Sequence, residues 1–405
     1  MKRNLTLHYC LHQSAYWAAA AGIMSFATTF LLEKGLPASQ VGLLLGCGSV
    51  LSGVTQPALA TLADRAKKSV LVPLVVALSA LTTLAFGILL LDDLPPALFG
   101  LFYFLGVWTF DAMMPLLNSI SVYYNNRGCP INYGLSRGVG SFAFSIAALF
   151  LGYVMEALGT NWMVYTILVL LPVSILITLR YPKIEEQSVF TERTVLEETQ
   201  EPCSMGAFFV RYRWYCLSLA GVLFLAMFHA MTENYLIAIM GRLGGDSRHV
   251  GVALFVATVA EAPVLLFFSQ VRTKISDHWL LRLAGFSFLL KSILFLVAPS
   301  IPFLYLTQLL QMTSYGFLSP VQVYYADEKV CPWDMVKGQA FITASYTLGC
   351  AIGNFIGGQL IEGYGVTAIL MAGVAMAAAG TLILVLTVER KDRCRIDAKG
   401  EPMVQ

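Results

Sequence analysis

Six ionisable side chains lie inside long apolar stretches of this sequence. They are Asp111, Arg137, His229, Glu233, Glu261 and Lys291. A charge in an apolar membrane stretch is costly unless it faces a partner or a water-filled cavity, so such residues are typical of sites for ions or polar solutes. Each also has a structural interpretation, as an ion pair or an anchor that only stabilises its helix.

Glu261 lies in the run VATVAEAPVLL, with no other charge nearby in sequence. A carboxyl group that is costly to keep charged suits a step in which a proton is taken up and released. Pro263 follows two residues later and frees backbone groups of the helix. The alternative is a permanently paired, structural carboxylate. We predict that Glu261 carries the coupled proton.

Lys291 lies in GFSFLLKSILFL and is a candidate counter-ion for a carboxylate or an anionic substrate. The structural alternative is a lysine whose long side chain reaches the membrane surface. His229 and Glu233 are four residues apart, which places both on one face of a helix. Such a pair can relay protons or bind hydroxyl groups, or it can form a hydrogen-bonded pair at the membrane rim. We predict that Lys291 tunes Glu261.

Arg137 lies in NYGLSRGVGSF, where the surrounding glycines permit close approach of another helix. Its guanidinium can hold a carboxylate or several hydroxyl groups through two parallel hydrogen bonds. The alternative is an anchor at the cytoplasmic end of its helix. Asp111, in VWTFDAMMP, either contacts substrate or forms a structural ion pair with Arg137, and Asn118 follows two turns later.

Twelve apolar stretches could position these residues, because about 20 apolar residues span a bilayer as a helix. The connections between them are mostly short and contain Gly, Pro or charged residues. We therefore predict an all-α membrane protein with twelve transmembrane helices. Their approximate limits are 9–32, 40–62, 70–91, 96–122, 134–158, 162–180, 213–239, 249–271, 279–298, 301–325, 339–361 and 366–388.

The composition agrees with a chain dissolved in lipid. Hydrophobic residues make up 57% and charged residues 12%, and the mean hydropathy is +0.71, whereas a soluble domain carries about 25% charged residues. The net charge of +2 and the lack of basic runs exclude a nucleic-acid partner. Scattered cysteines and histidines without ligand spacing predict no metal, no cofactor and no disulfide framework. No nucleophile and base are suitably placed for an enzyme.

The chain divides into two similar halves. A polar, acidic stretch at 181–210 separates six apolar segments from six more. GYVMEALG at 152–159 and GQLIEGYG at 358–365 match at an offset of 206, which suggests a duplicated unit. We predict two six-helix bundles around a central cavity, a known transporter plan. The limits are 1–180 and 211–390 for the bundles, 181–210 for a cytoplasmic linker and 391–405 for a cytoplasmic tail.

The distribution of Lys and Arg predicts the orientation, because cytoplasmic loops are enriched in them. With both termini cytoplasmic, 21 of the 26 Lys and Arg residues fall inside. Lys34, Arg242 and Arg248 fall outside, and Arg137 and Lys291 fall within helices. We therefore predict a multi-pass protein of the cytoplasmic (inner) membrane with both ends in the cytoplasm.

The segment ALATLADRAKK at 58–68 resembles the loop between helices 2 and 3 of the major facilitator superfamily, G-x-x-x-D-[RK]-x-G-[RK]-[RK]. Asp64, Arg65, Lys67 and Lys68 match that motif in kind, whereas alanines replace both glycines. In the family this motif is a conformational latch, so the resemblance implies that role for these four residues.

QPALATLADR, YGLSRGVGS and AEAP together are similar to the branch of the superfamily that contains lactose permease and the 3-phenylpropionate-permease-like proteins. The resemblance spans essentially the whole chain and implies the major facilitator fold. It implies substrate contact by Arg137 and Glu261, assistance to proton coupling by Lys291, and stacking on substrate by Phe144.

The chain departs from lactose permease at several site positions. Asn118 stands where that permease has a glutamate, and Gln311 and Ser314 stand where it has a histidine and a glutamate. His229 replaces an aspartate and instead resembles the phenylpropionate-type pattern. The lactose site and its proton relay are therefore not intact, and lactose is a poor candidate substrate.

These observations predict a proton-coupled symporter that imports a small organic solute, such as a sugar, a nucleoside or an aromatic acid, by alternating access. Its partners would be substrate, protons and the lipid bilayer, and we expect a functional monomer. The predicted substrate contacts are Arg137, Asn118, Asp111, Phe144, His229, Glu233 and Gln311.

Proton-coupled efflux of an amphipathic compound is the alternative. Asp111, Glu233 and Glu261 would suit a cation, although Arg137 and Lys291 argue against a cation-selective pocket. A third possibility, a sensor or an enzyme on the same scaffold, has no supporting group of residues.

Overall fold

The computed structural model describes residues 5–65, 70–91, 94–125, 127–182 and 204–388, and the backbone of 395–396 and 402–403. The side chains of 60–65 and 332 lie outside this description. The predicted latch is therefore not described: its Lys67 and Lys68 fall in a gap, as do the side chains of Asp64 and Arg65. Most of the predicted linker and tail falls outside as well.

The described residues are almost entirely helical, which confirms the predicted all-α class. The α-helices are α1 (Leu5–Ala20), α2 (Ala27–Glu33), α3 (Ala38–Arg65), α4 (Leu71–Ile88), α5 (Pro96–Asn125), α6 (Tyr133–Leu158), α7 (Asn161–Leu179), α8 (Met205–Arg211), α9 (Arg213–Asn234), α10 (Leu236–Gly241), α11 (Ser247–Arg272), α12 (Asp277–Val297), α13 (Ile301–Gln308), α14 (Tyr315–Lys329), α15 (Met335–Tyr364) and α16 (Val366–Thr387). A π-helix covers Ala21–Ser25, and 3₁₀-helices cover Leu309–Met312 and Pro332–Asp334. The short strands β1 (Arg395–Ile396) and β2 (Pro402–Met403) pair antiparallel.

Ten helices in the described part of the chain are long and apolar enough to cross a membrane, and the bent pair Leu5–Ser25 and Ala27–Glu33 adds an eleventh if the pair is counted as one span. The remaining predicted segment, 301–325, is helical in pieces. All twelve predicted segments are thus helical, but four are not continuous as predicted. The first bends by 48°, the seventh is interrupted at Tyr235, and the tenth is broken at 309–314. The eighth is kinked at Phe267, whose φ of −107° and ψ of 15° are not helical. α8, moreover, lies almost wholly within the predicted linker.

Lipid favours helices here because it offers no hydrogen-bond partner to backbone N–H and C=O groups, which must pair within the segment. Large apolar side chains point outward along these helices: Val54 is 69% exposed, Leu84 63% and Leu306 65%. Such a surface would be costly in water and suits contact with acyl chains.

Local signals set several helix ends. The Asn132 side chain accepts a hydrogen bond from the Leu135 N–H at the start of α6, and Asp246 forms a capping box at the start of α11. Gly159 and Gly365 follow α6 and α15 with φ of 97° and 80°, a conformation that favours glycine. These two glycines occupy equivalent places in the duplicated sequence.

We group the helices by half of the chain and name the two groups the N-terminal bundle and the C-terminal bundle. In the N-terminal bundle (α1–α7), α1 packs on α6 and α7, and α5 packs on α3 and α4. In the C-terminal bundle (α9–α16), α9 packs on α15 and α16, and α12 packs on α14 and α16. The bundles meet mainly where α3 packs on α15 and α6 packs on α11.

Among the described residues, five cysteines are free thiols: Cys10, Cys47, Cys129, Cys216 and Cys350. Cys331 is disulfide-bonded, whereas the sequence predicted no disulfide framework. Spacing along the sequence does not report which thiols meet in space.

Candidate functional site

A break in a membrane helix lies at the centre of the candidate site. α13 ends at Gln308, a 3₁₀ turn follows, and α14 begins at Tyr315. Ser314, just before α14, has φ −86° and ψ −88°, which is not helical. Non-helical backbone at membrane depth is tolerated where it is buried in protein or lines a cavity. The break faces α11, the helix that carries Glu261.

Lys291, fully buried on α12, is held by two side chains. Its Nζ lies 3.3 Å from Oε1 of Glu233 on α9 and donates to Oε1 of Gln311, 2.8 Å away, in the broken segment. A buried ammonium group needs such partners because it has lost its water. The predicted tuning of Glu261 by Lys291 is therefore not a direct ion pair, since Lys291 pairs with Glu233.

Glu261 lies near this network, with its side chain close enough to that of Gln311 for the two to interact. The carboxylate also packs against the start of α14: a Cβ added to Gly316 would lie 3.3 Å from Cγ of Glu261. The side chain is partly exposed. Glu233, Lys291, Gln311 and Glu261, which we call the polar network, thus meet at one level of the C-terminal bundle.

Arg137 faces the polar network from the N-terminal bundle, close enough to interact electrostatically with Glu261. Its guanidinium lies 3.9 Å over the ring of Trp17 on α1 and donates to Oγ of Ser141, 2.6 Å away. Trp17 in turn donates to Gln13 at 2.9 Å, which donates to Tyr9 at 2.7 Å. α1 therefore supplies a platform that holds Arg137.

Asp111 does not pair with Arg137, which was one of the two roles considered for it. Within the described residues Arg137 makes no ion pair, and the Asp111 side chain forms no hydrogen bond or salt bridge, although its backbone oxygen accepts from Gln56 at 3.0 Å. Adjacent position in sequence does not bring α5 and α6 together: α5 packs on α3 and α4, whereas α6 packs on α1, α7 and α11. Asn118 and Asp111 are both partly exposed and seven residues apart on α5.

The His229 ring forms no hydrogen bond to Glu233, so the structural alternative of a hydrogen-bonded pair at the membrane rim is not observed. Its ring stacks on Tyr315 with centroids 4.9 Å apart and planes 6° apart, and its Nδ1 is buried without a partner. Tyr346 lies 5.9 Å from Tyr315, centroid to centroid. Phe144 in the N-terminal bundle lies 6.5 Å from Trp17. Aromatic rings thus flank the polar network on two sides.

A cavity of about 210 Å³ opens beside these rings, between α14 and α15. Its lining is uncharged and mixes apolar with hydrogen-bonding side chains: Tyr315, Gln322, Val323, Gln339, Ile342, Thr343, Tyr346 and Thr347. Oε1 of Gln322 is buried without a partner. The cavity can therefore offer amide and hydroxyl groups to a solute that reaches the ring stack.

Sequence reasoning missed Trp17, Gln322, Gln339 and the break in the tenth segment. The break had a signal, because QMTS at 311–314 is polar within an apolar run and Gly316 follows it. Trp17 had none, since a tryptophan in an apolar helix is usually packing or an interface anchor.

Two curated relatives match nearly the whole chain. The transporter YwbF of Bacillus subtilis (strain 168) is 24% identical over 403 residues, covering 95% of each chain. The maltose permease of Geobacillus stearothermophilus is 24% identical over 394 residues, covering 92% of each.

Solved structures share the fold. The nucleoside transporter NupG superposes with a TM-score of 0.77 at 14% identity, over 96% of this chain and 99% of the other. An autoinhibited peptide transporter of the POT family gives 0.69 at 12% identity, over 99% of both chains. The family model described as the MFS_1 like family matches residues 4–372. The chain therefore belongs to the MFS_1 like family and is a membrane transporter of the major facilitator type, not an enzyme.

Proposed function

We propose that this transporter is a proton-coupled symporter that imports a small organic solute by alternating access. The observation that carries the proposal is the polar network at the broken helix. A carboxylate, Glu261, lies beside Gln311, which accepts from the buried Lys291 of the Lys291–Glu233 ion pair, and Arg137 faces Glu261 from the other bundle. Discontinuous helices with ionisable groups at mid-membrane are a common basis for ion and substrate sites in secondary transporters.

In this proposal Glu261 takes up the proton. Protonation removes its attraction to Arg137 and weakens its interaction with the neighbouring Gln311 side chain, so both neighbours become available to a solute. Lys291 and Glu233 hold Gln311 in place through the 2.8 Å and 3.3 Å contacts. Proton binding and substrate binding are thereby linked through shared partners, as coupling requires.

The substrate contacts proposed for the N-terminal bundle are Arg137, Phe144, Asn118 and Asp111. In the C-terminal bundle, the proposed substrate contacts are the polar network and His229, whose ring stacks on Tyr315. Aromatic faces and neutral hydrogen-bonding groups suit a solute with a ring and hydroxyl groups. The maltose permease and nucleoside transporter among the matches make maltose and nucleosides sensible first substrates for testing, with aromatic acids beside them.

The moving units in this proposal are the bundles 1–180 and 211–390, with 181–210 as linker and 391–405 as tail. The major facilitator loop motif at Asp64, Arg65, Lys67 and Lys68 would act as a conformational latch at the cytoplasmic ends of the helices. We propose the inner membrane as the location, cytoplasmic termini and a functional monomer.

The test is uptake into proteoliposomes with an imposed pH gradient, comparing wild type with Glu261→Gln. We expect the wild type to concentrate its substrate when the outside is acidic. Glu261→Gln should lose accumulation by at least about tenfold, because glutamine cannot carry the proton, yet retain exchange of labelled for unlabelled substrate.

Glu33→Gln is the matched control, since Glu33 is an exposed carboxylate away from the site, bonded to Thr160, and should accumulate like wild type. Accumulation by Glu261→Gln at the wild-type level would show that Glu261 does not carry the coupled proton.

Efflux of an amphipathic compound is the second candidate. It is favoured by the Asp111 carboxylate, which has no side-chain partner among the described residues, and by the aromatic rings near the polar network. In the same vesicles, substrate that moves opposite to the proton, rather than with it, would favour efflux over import.

A further inference from the structure

The duplicated motif G-x-x-x-E-x-x-G, at 152–159 and 358–365, lies at one end of the molecule in both copies. We call this end the outer end; it holds Glu33, Ser39, Glu156, Ser247 and Glu362, and the Lys and Arg distribution predicts that it faces outside. In each copy the glutamate forms a hydrogen bond to the opposite bundle. The proposed proton and substrate sites make no use of this motif.

The two bonds are equivalent. Oε2 of Glu362, at the end of α15, accepts from the backbone N–H of Ser39 in the first turn of α3, at 2.9 Å. Oε2 of Glu156, at the end of α6, accepts from the backbone N–H of Ser247, the first residue of α11, at 3.2 Å. N–H groups in the first turn have no acceptor within their own helix, and a helix N-terminus favours a negative charge.

The glycines of the motif make these bonds possible. A Cβ on Gly358 would lie 2.4 Å from the backbone oxygen of Ala38, and one on Gly152 would lie 2.6 Å from that of Ser247. The first glycine therefore lets the opposite helix approach, and the glutamate one turn later reaches its N-terminus. Gly159 and Gly365 then end the helices. The two glycines and the glutamate of the motif therefore have the same roles in both copies.

We propose that Glu156 and Glu362 are a symmetric pair of latches that hold the outer end of the transporter closed. The inference rests on the proposed alternating-access cycle, in which the outer end must open once per cycle. Both glutamates are exposed, so water replaces each broken bond and the latch can be released at modest cost. Loss of either glutamate shifts the population toward the state that is open at this end.

The test is labelling of a cysteine placed at Thr347, which lines the cavity, in a background whose free cysteines are replaced. A membrane-impermeant maleimide is applied separately from each side of the membrane. Glu156→Ala and Glu362→Ala should each raise the labelling rate from the outer side by about two- to tenfold, the range for loss of one such hydrogen bond. The double variant should show about the product of the two, because distant effects on one equilibrium add in free energy.

Glu33→Ala is the matched control. Glu33 is an exposed carboxylate at the same end, and it accepts a hydrogen bond from Thr160 of its own bundle at 2.9 Å, so its loss should leave labelling unchanged. Labelling from the opposite side should fall or stay constant in the Glu156→Ala and Glu362→Ala variants. General unfolding would instead raise the labelling rate from both sides.

Glu156→Gln and Glu362→Gln keep an acceptor oxygen and should label at intermediate rates. If the double alanine variant labels from the outer side at the wild-type rate, Glu156 and Glu362 do not hold the outer end closed. The same conclusion follows if Glu33→Ala labels as fast as the double variant. The assay needs neither substrate nor a proton gradient, so failure of the proposed symport and failure of the latch are separate results.

Discussion

Lys291 occupies the most demanding environment of any residue in the proposed site. It is fully buried, and its charge is matched by Glu233 at 3.3 Å and by the Gln311 oxygen at 2.8 Å. Removing one member of a buried ion pair leaves the other uncompensated, whereas replacing both with apolar groups of similar size is often neutral. The pair is therefore better suited to fixing geometry at the helix break than to adding stability.

We expect Glu233→Met to lower the thermal stability of the purified protein markedly, by up to about 3 kcal/mol, because Lys291 stays buried without its counter-charge. The double variant Glu233→Met/Lys291→Met should recover most of that loss. Apparent Tm in detergent measures both, with Lys34→Ala, an exposed charge, as the unchanged control. Destabilisation of the double variant by the sum of the two single losses would contradict a buried, coupled pair.

At the scale of elements, the contact between α1 and α6 decides where Arg137 points. Gly140 lies one turn before Phe144, and a Cβ there would lie 2.7 Å from Cδ1 of Trp17. The glycine therefore leaves room for the tryptophan on which the Arg137 guanidinium rests. The same helix carries Gly138, where a Cβ would meet nothing within 4 Å.

Gly140→Ala should displace Trp17 and weaken its cation–π contact with the Arg137 guanidinium. We expect the KM for uptake to rise by about two- to fivefold, the value of one cation–π contact, with a smaller change in kcat. Gly138→Ala is the matched control and should transport like wild type. An unchanged KM in Gly140→Ala would mean that the Trp17 platform does not position the arginine for substrate.

The broken tenth segment is the second decisive element. A continuous helix would satisfy its own backbone, but the 3₁₀ turn at Leu309–Met312 and the non-helical Ser314 bring Gln311 between Lys291 and Glu261. The polar network depends on that break, because Gln311 lies within it.

At the scale of the whole molecule, the two bundles meet at α3 with α15 and at α6 with α11, and the tight glycine contacts at Gly42, Gly152, Gly251 and Gly358 lie toward the outer end. The cavity lined by Tyr315 and Gln339 lies toward the other end of the same helices. The molecule is thus closed at one end, which agrees with a state in the alternating-access cycle that we propose.

The proposed orientation has its own test. Green fluorescent protein fused after Gln405 should fluoresce, and alkaline phosphatase at the same site should be inactive, because both report a cytoplasmic position. The same reporters inserted in the turn at 242–245 should give the opposite result. Active phosphatase at the C-terminus would reverse the assignment of the outer end.

The sequence by itself determined the class, the helical segments and the family resemblance. Apolar length and charge content decide whether a segment enters lipid, and both can be read directly from composition. The sequence also singled out Glu261, Lys291 and Glu233, because an ionisable group in an apolar run is visible without knowing its neighbours. Gln311 was identified only through the resemblance to lactose permease.

Only the tertiary structure decided which of these residues meet. Lys291 pairs with Glu233 across α12 and α9, Arg137 rests on Trp17 rather than on Asp111, and His229 stacks on Tyr315. The physical reason is that contacts between helices depend on helix rotation, on breaks and on which glycines allow close approach. The duplicated glutamates were visible as a repeat, but their bonds to Ser39 and Ser247 depend on how the two bundles face each other.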